Sequence, residues 1–189
     1  MNEEKVISIL CKAFDDNPAV NYAINGRSER RERMRNLIRY SLHIAKYGGE
    51  ILLNENETCA ALITYSNKKI IFIRQWLFDA RLVLNSIGIS GIRKNQFRKK
   101  YIRSHHPKTA YIYLWFIGTE ESEQRKGHAS RMITKIVDLS NRLKMPVYLE
   151  TSAPENLPFY KQNGFEIYHE EMIPFSNFTT YFIRRENER

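Results

Sequence analysis

The chain has 189 residues, which suits one domain or at most two small ones and is long enough to bury a core. With 42% hydrophobic residues, only 8 Gly and 6 Pro, and as many as 11 Tyr and 10 Phe, it is neither collagen-like nor disordered. Its 30 Lys and Arg against 21 Asp and Glu give a net charge of +9, which attracts nucleic acid, acidic membranes or phosphorylated cofactors without choosing among them.

The sequence also indicates the cellular location of the protein and the state of its cysteines. No stretch approaches the roughly 20 apolar residues of a membrane span, and the acidic start Met1-Asn2-Glu3-Glu4-Lys5 has no signal-peptide pattern. We therefore expect a cytoplasmic protein with no membrane partner. Cys11 and Cys59 are too few for a disulfide framework, and each lies in an apolar run, which predicts buried free thiols.

The first half of the chain is predicted to form two helices, a hairpin and a third helix. Apolar residues at helical spacing from Val6 to Phe14 predict the first helix, which Asp15-Asp16-Asn17-Pro18 ends. A second helix is predicted from about Ser28, a good N-cap, to Gly48-Gly49. Two apolar runs, residues 51–53 and 60–65, flank a turn-rich segment and predict a hairpin. Residues 70–87 favour a helix.

The second half of the chain shows a sharper alternation of strands and helices. Its predicted elements are a strand at Ala110–Thr119, a helix at Gly127–Leu143, a strand at Val147–Ser152, a short helix at Asn156–Asn163, and closing strands at Phe165–His169 and Thr180–Arg184. Because strands are both adjacent and separated by helices, we expect a single α/β (α+β) domain over residues 1–189.

The segment Gln124-Arg125-Lys126-Gly127-His128-Ala129 lies between a predicted strand end and a predicted helix start. Small residues at Gly127 and Ala129 let a ligand approach the backbone. The first amides of a helix have no internal partners and lie at the positive end of its dipole, so they suit a pyrophosphate. Arg125 and Lys126 add positive charge. The segment is neither a phosphate-binding P-loop nor a dinucleotide fingerprint.

This segment resembles the signature of the GNAT superfamily, the acyl-CoA-dependent N-acyltransferases. The family pattern Arg/Gln-x-x-Gly-x-Gly/Ala is matched by Gln124, Gly127 and Ala129. The other matching segments, in family order, are its fourth strand at Leu114–Thr119, its fifth strand at Tyr148–Ser152, and its Asn-x-x-x-Tyr-x-x-x-Gly-Phe segment at Asn156–Phe165. The signature and these three segments, in the expected order, make residues 110–170 the motif-bearing core.

The resemblance implies a GNAT-like mixed, twisted central sheet flanked by helices, and acetyl-CoA as the co-substrate. It implies transfer of the acetyl group directly to a primary amine. The implied cofactor-binding residues are Ile117, Gly118, Thr119, Gln124, Arg125, Lys126, Gly127, His128, Ala129, Ser130 and Asn156. Thr119 and Arg125 depart from the residues that relatives usually carry there, but neither departure removes a backbone donor.

Two catalytic residues are expected, Tyr160 from the resemblance and Glu150 from its place on the predicted strand. Tyr160 would be the general acid that protonates the departing thiolate, since a phenol of ordinary pKa ~10 can donate to sulfur. Glu150 is the candidate base, with Tyr111 and Tyr113, acting with water, as rivals; a solvent-facing or ion-paired Glu150 is the alternative. Asn156 would bond the coenzyme arm, cap its helix, or do both.

Other chemistry and other partners remain as alternatives. His105 and His106 lie side by side with no metal-ligand spacing nearby, so we expect loop residues and no metal site. The basic segments 27–46 and 93–108 favour solvated helix faces over nucleic-acid contacts, and they could also clamp the 3′-phosphate of coenzyme A or an acidic substrate. The acceptor would be a small-molecule or peptide amine, and relatives often form dimers, which leaves a homodimer open. A non-catalytic acetyl-CoA sensor and a basic nucleic-acid-binding protein are the runner-up functions.

Overall fold

A computed structural model describes residues 1–24, 29–68 and 95–187 of the chain. Its helices are α1 (Glu3–Ala13), α2 (Pro18–Ile24), α3 (Arg30–Gly48), α4 (residues 95–104), α5 (His128–Leu143) and α6 (Leu157–Gln162). Its strands are β1 (Gly49–Leu53), β2 (Cys59–Tyr65), β3 (Ile112–Thr119), β4 (Val147–Thr151), β5 (Glu166–Glu171) and β6 (Thr180–Arg185).

The strands form one six-stranded mixed sheet in the order β1-β2-β3-β4-β6-β5. The β3–β4 pair is parallel, as expected for strands joined through the crossover helix α5, and the other neighbours are antiparallel. Helices cover both faces of this sheet. The predicted α/β fold with a mixed central sheet is therefore confirmed.

Most of the predicted elements are found, but α2 is a helix that the sequence analysis missed. The run Asp15-Asp16-Asn17-Pro18 ends α1 as predicted, yet it also starts α2. The Asn17 side chain accepts a hydrogen bond from the Val20 amide at 3.1 Å, and Pro18 occupies the first helical position, which suits its fixed φ. The predicted helix start at Ser28 and the predicted helix over 70–87 lie outside the described residues.

Two buried cores lie on opposite faces of the sheet. On one face, α1, α2 and α3 pack on residues such as Leu62 of β2 and Phe116 of β3. On the other face, α5 and α6 pack on alternate residues of the same strands, among them Leu114, and on Leu149 of β4. Since neighbouring residues of a strand point to opposite faces, each strand contributes to both cores. A third, small cluster joins Ile102 of α4 to β6.

The β3 and β4 strands diverge soon after they meet. Their pairing consists of Ile112 with Val147 and Tyr113 with Tyr148, although β3 continues to Thr119 and β4 to Thr151. A bulge in β3 accompanies the divergence, because Leu62 and Ile63 of β2 face Phe116 and Leu114 and leave Trp115 unpaired. The main chain of β3 beyond Tyr113 is therefore open on the side that faces β4.

Several cations of α3 form ion pairs with carboxylates of α1. Arg35 and Arg39 both contact the Glu4 carboxylate, and Lys46 lies 2.7 Å from Glu3. These pairs are exposed and add little to stability. They pair several of the positive charges of segment 27–46 with carboxylates of the same chain. This favours the interpretation of the segment as a solvated helix face over that of a nucleic-acid-binding surface.

Gly118 of β3 lies against α1, which gives a prediction on stability. A Cβ at this position would lie 2.6 Å from the Ala13 Cβ and 3.3 Å from Leu10 Cδ2, so α1 would have to move away from the sheet. We expect Gly118→Ala to lower the free energy of unfolding by about 1–3 kcal/mol, measured by urea denaturation. Because the closest contact is to Ala13, adding Ala13→Gly should recover part of this loss. Independent, additive effects of the two substitutions would contradict the contact.

Candidate active site

The loop before α5 presents a series of free backbone amides. Arg125 (φ 61°) and Gly127 (φ 77°) both adopt the left-handed conformation, which turns the chain into the helix at His128. None of the amides from Arg125 to Ser130, here called the amide loop, donates a hydrogen bond to any described residue. Six consecutive donors at a helix N-terminus form a site that suits a polyphosphate.

Acidic residues flank the amide loop, but cations neutralise two of them. The Glu120 carboxylate lies 3.0 Å from Lys5 Nζ. Glu123 accepts from Lys126 Nζ at 2.9 Å and lies 3.2 Å from His128 Nε2. The hydrogen bond from Lys126 is the main reason that the pKa of Glu123 is lowered. The His128 ring thus holds the flanking turn, a role beyond the backbone role that the sequence suggests.

A pocket of about 250 Å³ lies beside the first turns of α5. It is lined by Asn54, Glu55, Asn56, His128, Arg131, Met132 and Lys135. The Arg131 guanidinium donates to the Lys126 carbonyl at 3.2 Å, so this cation is fixed next to the amide loop. Arg131 and Lys135 thus add positive charge beside the free amides, which favours a ligand with several negative charges.

Glu150 of β4 is the centre of a buried hydrogen-bond network. Its Oε2 accepts from the Tyr113 hydroxyl at 2.7 Å, and its Oε1 lies 2.5 Å from His106 Nε2. The other ring nitrogen of His106 lies 2.8 Å from the Tyr111 hydroxyl. The side chains of Glu150 and His106 are each only 4% exposed, so the solvent-facing alternative for Glu150 is wrong.

The network fixes the protons of the His106 ring. A carboxylate accepts only, so His106 Nε2 must donate to Glu150. In the neutral ring Nδ1 is then an acceptor and receives the Tyr111 hydroxyl proton. Three tyrosine rings, those of Tyr111, Tyr113 and Tyr148, surround the imidazole at centroid distances of 5.0 to 5.7 Å. The hydrogen bonds and the surrounding rings therefore fix the orientation of the imidazole beside Glu150.

The two tyrosines that rival Glu150 as base are less suited to that role. Burial raises the pKa of Tyr113 well above its usual value, and the neighbouring Glu150 charge raises it further. Burial also raises the pKa of Tyr111. Both phenols therefore keep their protons at neutral pH and act as donors. Glu150 is the group of the three that can accept a proton.

Tyr160 lies on the opposite side of the sheet from Glu150. It belongs to the core under α5 and α6, together with Leu149, whereas the next residue, Glu150, points to the face of α4. Its ring packs edge-on against Phe159 and Phe165. Burial raises the pKa of Tyr160 above its usual value, so the hydroxyl stays protonated and can donate.

The remaining sequence-predicted residues lie around the divergence of β3 and β4. Ile117, Gly118 and Thr119 pair with β2 on one side and face the opening on the other. Gln124 is extended and precedes the amide loop. Asn156 is exposed and directly precedes α6. Its side chain makes no capping hydrogen bond, so the predicted capping role is wrong. The side-chain amide stays available to a ligand.

His106 is the residue of this site that sequence reasoning missed. The pair His105-His106 follows α4 in a turn, as expected for loop residues, but the turn folds back over the sheet onto Glu150. No spacing pattern links His106 to Glu150, because they are 44 residues apart in the chain. The one sequence signal of this aromatic-lined face was the alternation of Tyr111, directly before β3, and Tyr113 within it, with Tyr148 on β4.

The sequence model of the acetyltransferase (GNAT) family matches residues 32–165, more than half of the chain. The chain belongs to the GNAT family. A stretch of 53 residues is 36% identical to an uncharacterized N-acetyltransferase of Schizosaccharomyces pombe, and it spans 28% of this chain and 22% of that relative. Members of the GNAT family use acetyl-CoA, and the free amides of the amide loop fit its pyrophosphate.

Solved GNAT structures share the fold of this chain. A histone acetyltransferase HPA2-related protein from Corynebacterium glutamicum superposes with a TM-score of 0.72 at 16% identity, over 100% of this chain and 92% of that chain. Arylalkylamine N-acetyltransferase 2 from Aedes aegypti gives a TM-score of 0.64 at 15% identity, over 98% and 94%. In the part of the chain that the structure describes, no helix is long and apolar enough to cross a bilayer.

Proposed function

We propose that this GNAT protein transfers an acetyl group from acetyl-CoA directly to the primary amine of a small-molecule or peptide acceptor. The observation that carries the proposal is the opening between β3 and β4, with Glu150 on one face and Tyr160 on the other. When bound, acetyl-CoA supplies the acetyl group as a thioester. The amide loop would hold its pyrophosphate, and the open edge of β3 at Ile117 and Thr119 would hold its arm.

Glu150 is the base in this proposal. An amine is protonated at neutral pH and must lose a proton before it can attack a carbonyl group. The Glu150 carboxylate attracts the ammonium group and takes its proton directly or through a water molecule. His106, whose Nε2 donates to the Glu150 carboxylate and whose Nδ1 accepts from Tyr111, holds the carboxylate in place.

Tyr160 is the general acid. The raised pKa of its buried phenol keeps the Oη proton in place over the neutral and mildly alkaline range. This proton is donated where the thiolate departs, on the face of the sheet opposite to Glu150. One group thus accepts a proton on the acceptor side while another donates a proton on the coenzyme side.

The two cysteines support direct transfer rather than an acetylated cysteine. Burial raises the pKa of Cys11 to about 11, and it raises the pKa of Cys59 as well. Both thiols therefore stay protonated at neutral pH and are poor nucleophiles. The acceptor amine itself is then the nucleophile, and both substrates bind together.

Two described elements, α2 and the turn that carries His106, bear on the acceptor side of the site. We expect residues 18–30 and 66–108 to wall it, and residues 25–28 and 69–94 of these ranges lie outside the described residues. The described part includes α2, whose Ala19 amide donates to Ser152 Oγ at 3.2 Å, and the turn of His106. Both lie on the Glu150 face of the sheet, which favours an acceptor that enters from that side.

A calorimetric titration with acetyl-CoA tests the proposal, with ATP and NADPH as anionic controls. Micromolar binding of acetyl-CoA alone would support it and would justify an amine screen that follows release of the free thiol. Equal binding of all three anions, or no binding, would contradict the coenzyme site. Tight binding without turnover on any amine would instead favour the non-catalytic sensor.

Tyr160→Phe tests the general acid. We expect kcat to fall by about 10²-fold, because the thiolate then leaves without a proton donor. The acetyl-CoA affinity should change little, since the ring and its packing remain. Thiol-release kinetics and calorimetry separate the two effects, and Tyr181→Phe on β6 is a matched control. A Tyr160→Phe enzyme with full turnover would remove this residue from the mechanism.

A further inference from the structure

The end of α4 meets the edge strand β5 in a cluster of three metal-binding side chains. One ring nitrogen of His105, one of His169 and a carboxylate oxygen of Glu171 all lie within 4.8 Å of one another. All three residues are half-buried, so the cluster is open to ions from solvent. The expectation that His105 has no metal-ligand partner nearby rested on sequence spacing, and the two partners lie more than 60 residues away in the chain.

The packing of α4 on the sheet brings these residues together. Ile102 of α4 packs with Phe182 of β6 in the small third core. A register shift in β5 sets His169 opposite Phe182, and Glu171 follows two residues later on the same face. The imidazole rings of His105 and His169 stack at 4.6 Å with an angle of 13° between their planes.

The hydrogen bonds around the cluster leave suitable lone pairs. His105 Nδ1 lies 3.0 Å from the Tyr101 carbonyl oxygen, which accepts only, so Nδ1 carries the proton and Nε2 is free to ligate. His169 Nε2 lies 3.2 Å from Glu171 Oε2, and the Tyr101 hydroxyl donates to the same carboxylate. Ligating histidines commonly donate their other N–H to a carbonyl group, and ligating carboxylates are commonly hydrogen-bonded.

We propose that His105, His169 and Glu171 bind a divalent transition metal ion, with Zn²⁺ as the best match. Two imidazoles and one carboxylate are ligands that Zn²⁺ takes at about 2.0–2.2 Å, with a fourth position left for water. Ligand atoms around such an ion are about 3.4 Å apart, so small side-chain rotations of half-exposed residues close the cluster. The ion replaces the proton that His169 and Glu171 share, and that proton leaves to solvent.

The site ties the C-terminal end of α4 to the far edge of the sheet. The next residue, His106, is the one that contacts Glu150, so the ion would hold the turn that carries it. This positioning role rests on the proposed function, whereas metal binding does not.

The untagged, chelator-treated full chain is titrated with ZnCl₂ by calorimetry, and bound zinc is counted by mass spectrometry of the folded protein. We expect one equivalent of Zn²⁺ at micromolar affinity or tighter. Glu171→Gln keeps the size of the side chain and an acceptor for Tyr101, and His169→Ala removes a ligand. Each should weaken binding by at least about 10-fold. His43→Ala, on α3 and outside the cluster, is the matched control and should bind as the unchanged protein does.

Two results would overturn the site: no Zn²⁺ bound by the unchanged chain, or equal affinity in the unchanged, Glu171→Gln and His169→Ala proteins. Circular dichroism confirms that each variant is folded before the titration. Because the ion itself is measured, a protein that binds Zn²⁺ but never releases thiol from acetyl-CoA supports this site and contradicts the proposed function alone.

Discussion

Glu150→Gln is expected to lower kcat by about 10²- to 10⁴-fold, the range that a positioned general base supplies. Glutamine has nearly the same shape, and its amide oxygen can still accept from Tyr113 or His106, so the fold should be kept. Its amide cannot take a proton from the acceptor ammonium. The acetyl-CoA affinity should hardly change, because Glu150 lies on the face of α4, away from the amide loop.

Steady-state thiol release with a saturating amine and a coenzyme titration together measure this effect. Glu166→Gln is the matched control, because it removes an exposed carboxylate of β5 that pairs with Arg184 of β6. It should keep kcat within about 2-fold. If Glu150→Gln turned over as fast as the control, another group would have to take the proton. A parallel loss of coenzyme affinity would show that Glu150 positions acetyl-CoA instead.

Gly127→Glu should weaken acetyl-CoA binding by about 100-fold or more. The new carboxylate would stand among the free amides, where two unit charges about 4 Å apart repel by roughly 1–4 kcal/mol, depending on the dielectric. The left-handed φ of 77° adds strain for any residue with a Cβ. This Cβ would also lie 3.1 Å from an Arg131 guanidinium nitrogen.

The chain contains a close control for this substitution. Gly164 has a φ of 79°, and a Cβ there would lie 3.1 Å from Arg185 Nε, so Gly164→Glu imposes the same backbone strain beside another arginine. Both variants should lose comparable stability in thermal unfolding. Calorimetry should find coenzyme binding impaired in Gly127→Glu alone. Equal affinities in the two variants would mean that the amide loop does not hold the pyrophosphate.

The sequence predicts the local parts of this fold because local patterns determine them. The apolar spacing of α1, the alternation of β3 and the glycine after α6 each reflect a preference of a few neighbouring residues. Helix α2 was missed because Asn17-Pro18 both ends one helix and begins the next. The sheet order was available only through the resemblance, since no periodicity states which strands become neighbours.

In the candidate site, too, the local features could be predicted from the sequence and the long-range contacts could not. The amide loop is one contiguous segment, so its composition alone suggests an anion site, and the resemblance implies Tyr160 through the family pattern that it shares with Asn156 and Gly164. The surroundings of Glu150 could not be predicted, because they depend on how a distant turn packs over the sheet. The cluster of His105, His169 and Glu171 depends further on a register shift in β5.

The short pairing of β3 with β4 makes the sheet two three-stranded halves that share two residue pairs at one end. The core beneath α5 and α6 bridges them on one face. A ligand arm that lies in the opening and bonds both edges would act as a substitute strand and complete the sheet. Its binding energy then becomes folding energy, so cellular coenzyme levels would set how tightly the two halves are joined, by RT ln(1 + [L]/Kd).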